Sequence, residues 1–394
     1  MYWQGRFAVA FPCQRSADRL DTGVDVNYIG SKYSLLGFLE EGVLGWVDPS
    51  CRVFFDVFAG TGVVGWRFKQ KGFRVVANDI QYYAYCLNRV RVQCNREPEF
   101  SAVAEDLGVP GGSNSVDGVL DHLNVLEGTE GFIYRTYCAG GTQDAEFIRQ
   151  YFSDENGKRC DAIRMQIEAW RQDGRLTEDE YFYLLASLID AADSVANTAS
   201  VYGAFLKHIK KSAMKPLHME PVQIVEGDGE HRVYNRNGSQ LVGEVACDVL
   251  YMDPPYNHRQ YCANYHMLET IARYDQPEVR GVTGLRPYDG QKSDFCMKRR
   301  ALPAFEEMVA KTSARYVFLS YNSEGIMQRD EILAVMRKYG VADVVSRDYN
   351  RFRADVDGEN RVYKGDRVEE YLFRVDKGGE AVGRPVGGEM QNEK

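Results

Sequence analysis

The chain has 394 residues, of which 44% are hydrophobic, and carries a formal net charge of −9. That length and apolar content allow a full core, with one large domain and an inserted subdomain as the natural partition. The acidic balance excludes a uniformly basic nucleic-acid coat, so any grip on a polyanion has to come from local patches.

The opening residues, Met1-Tyr2-Trp3-Gln4-Gly5-Arg6, lack a sustained apolar core, so no signal peptide is expected. No run approaches the roughly eighteen apolar residues that a membrane span needs. Nine cysteines, at 13, 51, 86, 94, 138, 160, 247, 262 and 296, form no Cys-x-x-Cys pair. They read as reduced thiols of a cytoplasmic protein, with neither a zinc site nor a disulfide frame.

Residues 1–25 form a lead-in. A helix is expected over 34–43, which puts Lys32 just before a helix start, where a cation and backbone donors can face an anion. Next comes Val53-Phe54-Phe55-Asp56-Val57-Phe58-Ala59-Gly60-Thr61-Gly62-Val63-Val64-Gly65: an apolar strand, a glycine turn and the start of a helix over 63–71. A second apolar run, 75–78, closes on Asp79. Glycines let a backbone approach a ligand closely, and an acid at the second strand's end can accept from ribose hydroxyls. Read literally, residues 60–65 are also a dinucleotide fingerprint, so a nicotinamide oxidoreductase is the immediate rival. A helix over 81–93 completes an alternation that signals an α/β, Rossmann-like doubly wound sheet.

The pattern breaks over 96–145, which is rich in glycine and acid with few periodic runs, and reads as an insertion or the approach to one. Helices are expected over 160–171, with Ile163, Ile167 and Trp170 on one face, and from the capping box Thr177-Glu178-Asp179-Glu180 to Ala192. The small polar stretch 196–203, with Asn197 and Tyr202, leads into Lys207, Lys210, Lys211 and Lys215. This run could face DNA, or be an ordinary loop and solvated face. The sheet is expected to resume at 222–225. Asp228, just beyond, reads equally as a cofactor neighbour and as a surface turn.

Asp248-Val249-Leu250-Tyr251-Met252 is a buried-strand pattern that ends in Asp253-Pro254-Pro255-Tyr256. Prolines lack N–H donors, which leaves local carbonyls free to accept. With the Asp253 carboxylate and the Tyr256 ring, they suit a planar amino-bearing base held edge-on and face-on. A plain strand with a Pro-Pro turn is the bland reading of the same tetrapeptide. His258 and His266 flank it, in structural or DNA-contacting roles. A helix over 265–273, a polar loop over 275–295 and a basic triplet, Lys298-Arg299-Arg300, follow. Then come a strand over 316–322, a helix over 332–339 and a strand pair, 341–346 with 370–375. Arg347, Arg351, Arg353 and Arg361 interleave with Tyr349 and Phe352, a combination that fits a nucleic-acid backbone groove. The glycine- and charge-rich residues 377–394 read as a disordered tail.

With these motifs in place the chain resembles the Dam-like (D12 class) adenine-specific DNA methyltransferases, and within them the methylases of type IIS restriction-modification systems. The likeness rests on Asn27-Tyr28-Ile29-Gly30-Ser31-Lys32-Tyr33, on Asp56 to Gly65, and on Asp253-Pro254-Pro255-Tyr256 with its continuation to His266, in that order. It runs from about residue 20 to about 375. The resemblance implies S-adenosylmethionine as cofactor, with Tyr28 and Lys32 flanking it, Phe58, Gly60 and Gly62 around its methionine moiety, and Asp79 on its ribose. It implies that Asp253 touches both cofactor and target base, that the Pro254 carbonyl is the second acceptor, with Pro255 in the same rigid pair, and that Tyr256 stacks on the base. Tyrosine at 28 departs from the tryptophan common in the Dam group, though the ring is kept.

The resulting expectation is a methyltransferase domain over 20–95 and 221–376, with a mainly helical target-recognition insert over 96–220. It would methylate the N6 amino group of a flipped-out adenine in double-stranded DNA, with no metal and with a cognate restriction endonuclease as possible companion. DNA contacts are expected from Asn197, Tyr202, Lys207, Lys210, Lys211, Arg351 and Arg353. Cytosine-N4 or RNA amino-methylation is the alternative, because those bases present a similar amine.

Overall fold

The computed structural model describes residues 32–109, 115–199, 201–350 and 367–378. Tyr28, Arg351, Arg353, Arg361, Phe352 and the tail from residue 379 lie outside them.

Seven strands build one sheet: β1 (Val53–Asp56), β2 (Arg74–Asn78), β3 (Arg232–Tyr234), β4 (Val249–Met252), β5 (Tyr316–Asn322), β6 (Val341–Asn350) and β7 (Arg367–Asp376). Their order is β3-β2-β1-β4-β5-β7-β6. The first five pair in parallel, and β7 runs antiparallel between β5 and β6. Every residue of β4 and β5 is buried. That is why they read as unbroken apolar runs: both faces of a parallel sheet are covered.

On one face α1 (Leu36–Leu44) and α2 (Val63–Gln70) pack against Phe54, Val75, Tyr251, Phe318 and Leu372. Helix α3 (Tyr82–Asn88) continues into a wide turn over Arg89–Gln93. The opposite face, with Phe55, Leu250, Met252 and Leu319, is covered by three later helices that complete a second core. Side chains alternate between the two cores along each strand, as the pleat requires.

Between α3 and β3 lies the mainly helical region. Here 96–145 departs from expectation, since it holds α4 (Ser101–Leu107), α5 (Ser115–Asn124) and α6 (Phe132–Tyr137). Each is short, and α4 stops at Gly108 in the left-handed region (φ 65°), so the period is seen only over one or two turns. In α5 the buried Val116, Val119, Leu120 and Leu123 still trace a helical stripe. Helix α7 (Asp154–Gln172) is capped by the Ser153 hydroxyl. Helix α8 (Glu178–Ser194) opens with the expected capping box, in which Glu180 Oε2 accepts from the Thr177 N–H at 2.8 Å.

The strand expected at 222–225 is displaced. The backbone of Val222 exchanges hydrogen bonds with the Tyr183 hydroxyl on α8, and the Ser187 hydroxyl donates to the Glu220 carbonyl. That apolar run therefore packs on a helix, and the sheet partner of β2 is Arg232–Tyr234 instead. Asp228 is exposed beside Arg96, at 3.3 Å, on the surface.

The remaining helices are α9 (Gly238–Leu241), α10 (Tyr261–Asn264), α11 (His266–Arg273), α12 (Ala301–Lys311) and α13 (Arg329–Arg337). Helices α9, α12 and α13 supply the second core, whereas α11 joins α3, α7 and α8 in a third one. The helices between α3 and β3 therefore share a continuous core with α3 and α11. Among the described residues no helix is long and apolar enough to cross a membrane.

Candidate active site

Strand order reverses between β1 and β4, so the crevice beyond their carboxyl ends is where an open α/β sheet receives ligands. Three carboxylates stand there: Asp56 closing β1, Asp79 just past β2 and Asp253 just past β4. A cavity of about 280 Å³ is lined by Lys32, Asp56, Phe58, Gly60, Asp79, Asp253, Pro255 and Tyr256, among others. Sequence motifs from three distant stretches thus meet in one space.

The glycine turn is held from both sides. Gly60 and Gly62 adopt φ of 53° and 86°, a region that side-chain-bearing residues avoid. A Cβ on Gly62 would come within 2.7 Å of Asn88 Oδ1. The Asn88 amide donates to the Gly60 carbonyl at 2.9 Å, and the Arg91 guanidinium donates to the Thr61 carbonyl at 2.8 Å. Arg91 is fully buried and also pairs with Asp190 on α8 at 2.7 Å. The Gly62 residue itself stands behind the cavity wall rather than in its lining.

Asp79 is fixed by two backbone donors, Gly60 N–H at 2.9 Å and Gln81 N–H at 2.8 Å. Burial pushes its carboxyl up to about 6, against the pull of those N–H groups. Asp56 is buried more completely. Neither of its oxygens has a hydrogen-bond partner in the folded protein, and burial, with Asp253 and Asp79 nearby, raises it well above the usual carboxylate range. Although backbone N–H groups of Gly65 and Phe58 pull the other way, no hydrogen bond of good geometry reaches Asp56, so we regard it as an unfilled acceptor. The Gln81 side-chain oxygen is likewise buried without a partner.

At the other end, the Lys32 ammonium lies 3.0 Å from Asp253 Oδ1. Burial disfavours the ammonium, but Asp253 and then Glu370 outweigh it and raise its pKa above the ordinary lysine value. Burial raises Asp253, and Lys32 opposes that rise. Pro254 is buried outside the lining, whereas Pro255 and the half-buried Tyr256 border the cavity. The Tyr256 carbonyl accepts from Ile326 N–H at 3.0 Å, which fixes the tetrapeptide to the loop after β5.

One wall was not legible in the sequence. Residues 291–295, within the expected polar loop, fold back over the site. Gln260 exchanges two hydrogen bonds with the Ser293 backbone, at 2.8 and 3.2 Å, and Phe295 meets the Phe58 ring edge-on with centroids 5.3 Å apart. Asp56, which opens the glycine motif, and the Ile80-Gln81 pair beside Asp79 could have been nominated by those positions.

The recognition residues divide. Lys207 and Lys211 are exposed, and Lys210 is half-buried with its ammonium donating to the Thr198 carbonyl at 3.0 Å. Asn197 and Tyr202 correct the expectation of base-edge contacts, because both are fully buried. The Asn197 amide donates to the Gln150 and Leu206 carbonyls and accepts from Lys210 N–H, while the Tyr202 hydroxyl donates to Asp193 at 2.7 Å. Their polar atoms are occupied inside the protein. His266 is buried too, its ring held down to about 4 by burial, and so is a neutral core histidine; His258 is exposed.

Comparison with known proteins gives this geometry a family. Residues 28–335 match the model of the D12 class N6 adenine-specific DNA methyltransferases. Type II methyltransferase M.NlaIII of Neisseria lactamica is 43% identical over 357 residues, covering 89% of this chain and 99% of that protein. Type II methyltransferase M.CviAII of Paramecium bursaria Chlorella virus 1 is 34% identical, covering 98% of its length. Type II methyltransferase M.FokI of Planomicrobium okeanokoites is also 34% identical, and there this chain spans only 53% of the relative. The chain belongs to the D12 class: it is an adenine-specific DNA methyltransferase that modifies the N6 amino group.

Proposed function

We propose that this D12-class enzyme uses S-adenosylmethionine as its methyl donor and acts on an adenine turned out of double-stranded DNA into the cavity between Asp253 and Tyr256. When bound, S-adenosylmethionine supplies an electrophilic methyl group on a sulfonium centre. The observation that carries the reading is one cavity with Asp79 and Asp253 both on its wall and the glycine turn beside them.

The donor set fits this cofactor. Its ribose hydroxyls are donors suited to Asp79, and its ammonium is a donor suited to the unfilled oxygens of Asp56. Gly60 permits close backbone approach, and Phe58 and Ile80 supply apolar wall. Lys32 carries the cation that suits a carboxylate. Tyr28, the other flanking residue implied by the motif, lies outside the described residues.

The chain's own contribution to the reaction is positioning and charge. Asp253 and the Pro254 carbonyl accept the two N–H bonds of the target amine, which draws its lone pair out of conjugation with the ring. Tyr256 holds the base face-on. Turning the base out is required because the amine is otherwise engaged in pairing and the ring faces are stacked. Alignment of two bound reactants supplies much of the rate. The exposed Lys207 and Lys211 serve as phosphate contacts, with Lys210 at their border. Arg351 and Arg353 are proposed to add to them.

The type II names of the relatives support a modification role that shields host DNA from a cognate restriction endonuclease. A cytoplasmic location fits a substrate of that kind. The test is transfer of a labelled methyl group to duplex DNA, followed by nucleoside analysis. N6-methyladenine is expected; label found solely in N4-methylcytosine or in RNA would overturn the proposal. Calorimetric binding of S-adenosylmethionine tests the cofactor separately.

A further inference from the structure

The described residues hold one more carboxylate at the active edge of the sheet that no motif includes. Glu370 lies on β7, in register with Asn322 at the carboxyl end of β5. Because β7 runs antiparallel, its early residues, not its last ones, reach the edge where β1 and β4 deliver Asp56 and Asp253. Two positions on, Leu372 packs into the core that α1 covers, so the pleat turns Glu370 toward the same face, the one that Lys32 leads into.

Glu370 is only 9% exposed, and its Oε2 has no hydrogen-bond partner in the folded protein. A buried carboxylate oxygen left in this way is costly unless a charge offsets it. Burial raises the Glu370 carboxyl, and the Lys32 cation, with the Asn322 side chain, opposes that rise; Lys32 acts in the same sense on Asp253.

We propose that Glu370 is a positioning residue for the transfer, sharing the Lys32 ammonium with Asp253 so that the Asp253 carboxylate stays available to the target amine. The inference rests on the assignment of Asp253 to that amine. Its physical basis is the sign of the charge. Lys32 and Asp253 alone form a neutral pair, which does little for an amine that becomes cationic as it accepts a methyl group. With Glu370 ionised the buried members Lys32, Asp253 and Glu370 sum to a single negative charge, Arg347 opposite being exposed to screening solvent, and that charge stabilises the developing cation before its proton departs. The groups facing Glu370 are Lys32 from the segment before α1, Asn322 from β5, Arg347 across the register on β6, and Asp253, Tyr251 and Tyr256 from β4 and its end.

The experiment compares Glu370→Gln and Glu370→Asp with the parent enzyme in single-turnover methyl transfer to duplex DNA. It also measures the affinities for S-adenosylmethionine and DNA. Glu370→Gln should lower the transfer rate about tenfold, the effect of roughly one pKa unit of interaction, while both affinities stay within about twofold. Glu370→Asp should keep most of the rate. In the ligand-free protein, the Asp253 carboxyl signal followed by NMR should titrate at lower pH in Glu370→Gln, since a neighbouring negative charge has gone. An unchanged rate, equal losses in the Gln and Asp variants, or an unmoved Asp253 titration each overturns the inference. Asp253→Ala separates the two levels. Normal transfer in that variant sinks the assignment of Asp253 itself, whereas an inactive Asp253→Ala beside an unaffected Glu370→Gln sinks only the role of Glu370.

Discussion

The Lys32 ammonium and the Asp253 carboxylate are 3.0 Å apart and largely withdrawn from solvent. The carboxylate proposed to accept from the target amine is thus paired with a cation that opposes the effect of burial on it. Removing either partner leaves the other charge buried and uncompensated. The two substitutions should nevertheless be told apart by what they do to the reaction.

Asp253→Ala takes away an acceptor on the amine and should lower the rate of methyl transfer by roughly two to four orders of magnitude, as removal of one preorganised electrostatic interaction does elsewhere. Lys32→Met leaves the acceptor in place but raises its pKa, since the cation opposes the effect of burial there. In the proposed mechanism the ionised form is the competent one, so the acidic limb of the rate profile should move to higher pH. A single-turnover pH series on both variants checks this, and an unmoved limb in a folded Lys32→Met protein contradicts it.

Asp79 makes a second pH prediction, this one for binding. Its carboxyl sits at about 6 in the free protein because of burial. Above that pH it is ionised and can accept two hydroxyl donors; below it, a proton occupies an acceptor site. Affinity for S-adenosylmethionine should fall as pH drops through about 6, and the pH dependence should vanish in Asp79→Asn. At neutral pH that variant should bind about ten- to a hundredfold more weakly, since a charged hydrogen bond contributes about 1.5–3 kcal/mol. Calorimetry at a series of pH values reads both effects.

Gly62→Ala tests the turn. The residue has a φ of 86°, and a Cβ would press on the Asn88 amide that holds the Gly60 carbonyl. Left-handed backbone costs an alanine about 1–2 kcal/mol. We expect a lower melting temperature and weaker cofactor binding together. A variant with parental values of both would show that the turn tolerates a side chain.

The proposed recognition face makes a prediction of contrast. Charge removal at Lys207 and Lys211 should flatten the salt dependence of DNA binding, by about 0.9 in slope for each phosphate no longer neutralised, with sequence preference kept. Tyr202→Phe and Asn197→Ala should instead destabilise the fold, by about 1–3 kcal/mol for each buried polar partner left unsatisfied. A change of sequence preference in a fully stable Tyr202→Phe protein would reverse the placement of that residue in the core.

Sequence legibility followed the length and purity of each pattern. β4 and β5 stood out because a strand buried on both faces is apolar throughout, and α8 because its capping box marks the start chemically. Gly60, Asp79 and Asp253 could be singled out because glycine turns and strand-end acids have few uses, whereas the roles of Lys32 and Phe58 came from the family resemblance. By contrast β3 has three residues, too few to alternate visibly, and a more apolar neighbour at 222–225 masked it while itself serving a helix. Asn197 and Tyr202 misled because small polar residues beside lysines look the same whether their atoms face solvent or backbone carbonyls. Glu370 carries no local signal at all; only the reversed direction of β7 brings it to the edge.

The clamp of Arg91 on the Thr61 carbonyl and on Asp190 bears on how such enzymes diversify. One guanidinium ties the glycine turn to helix α8, so the two cannot be exchanged as independent parts. A chimera that grafts a foreign recognition segment onto this scaffold should retain donor binding only where the graft restores an acid opposite Arg91. Substitutions at the exposed Lys207 and Lys211 should therefore be tolerated more freely than changes along α8 at Asp190, which would loosen the glycine turn proposed to hold the methyl donor.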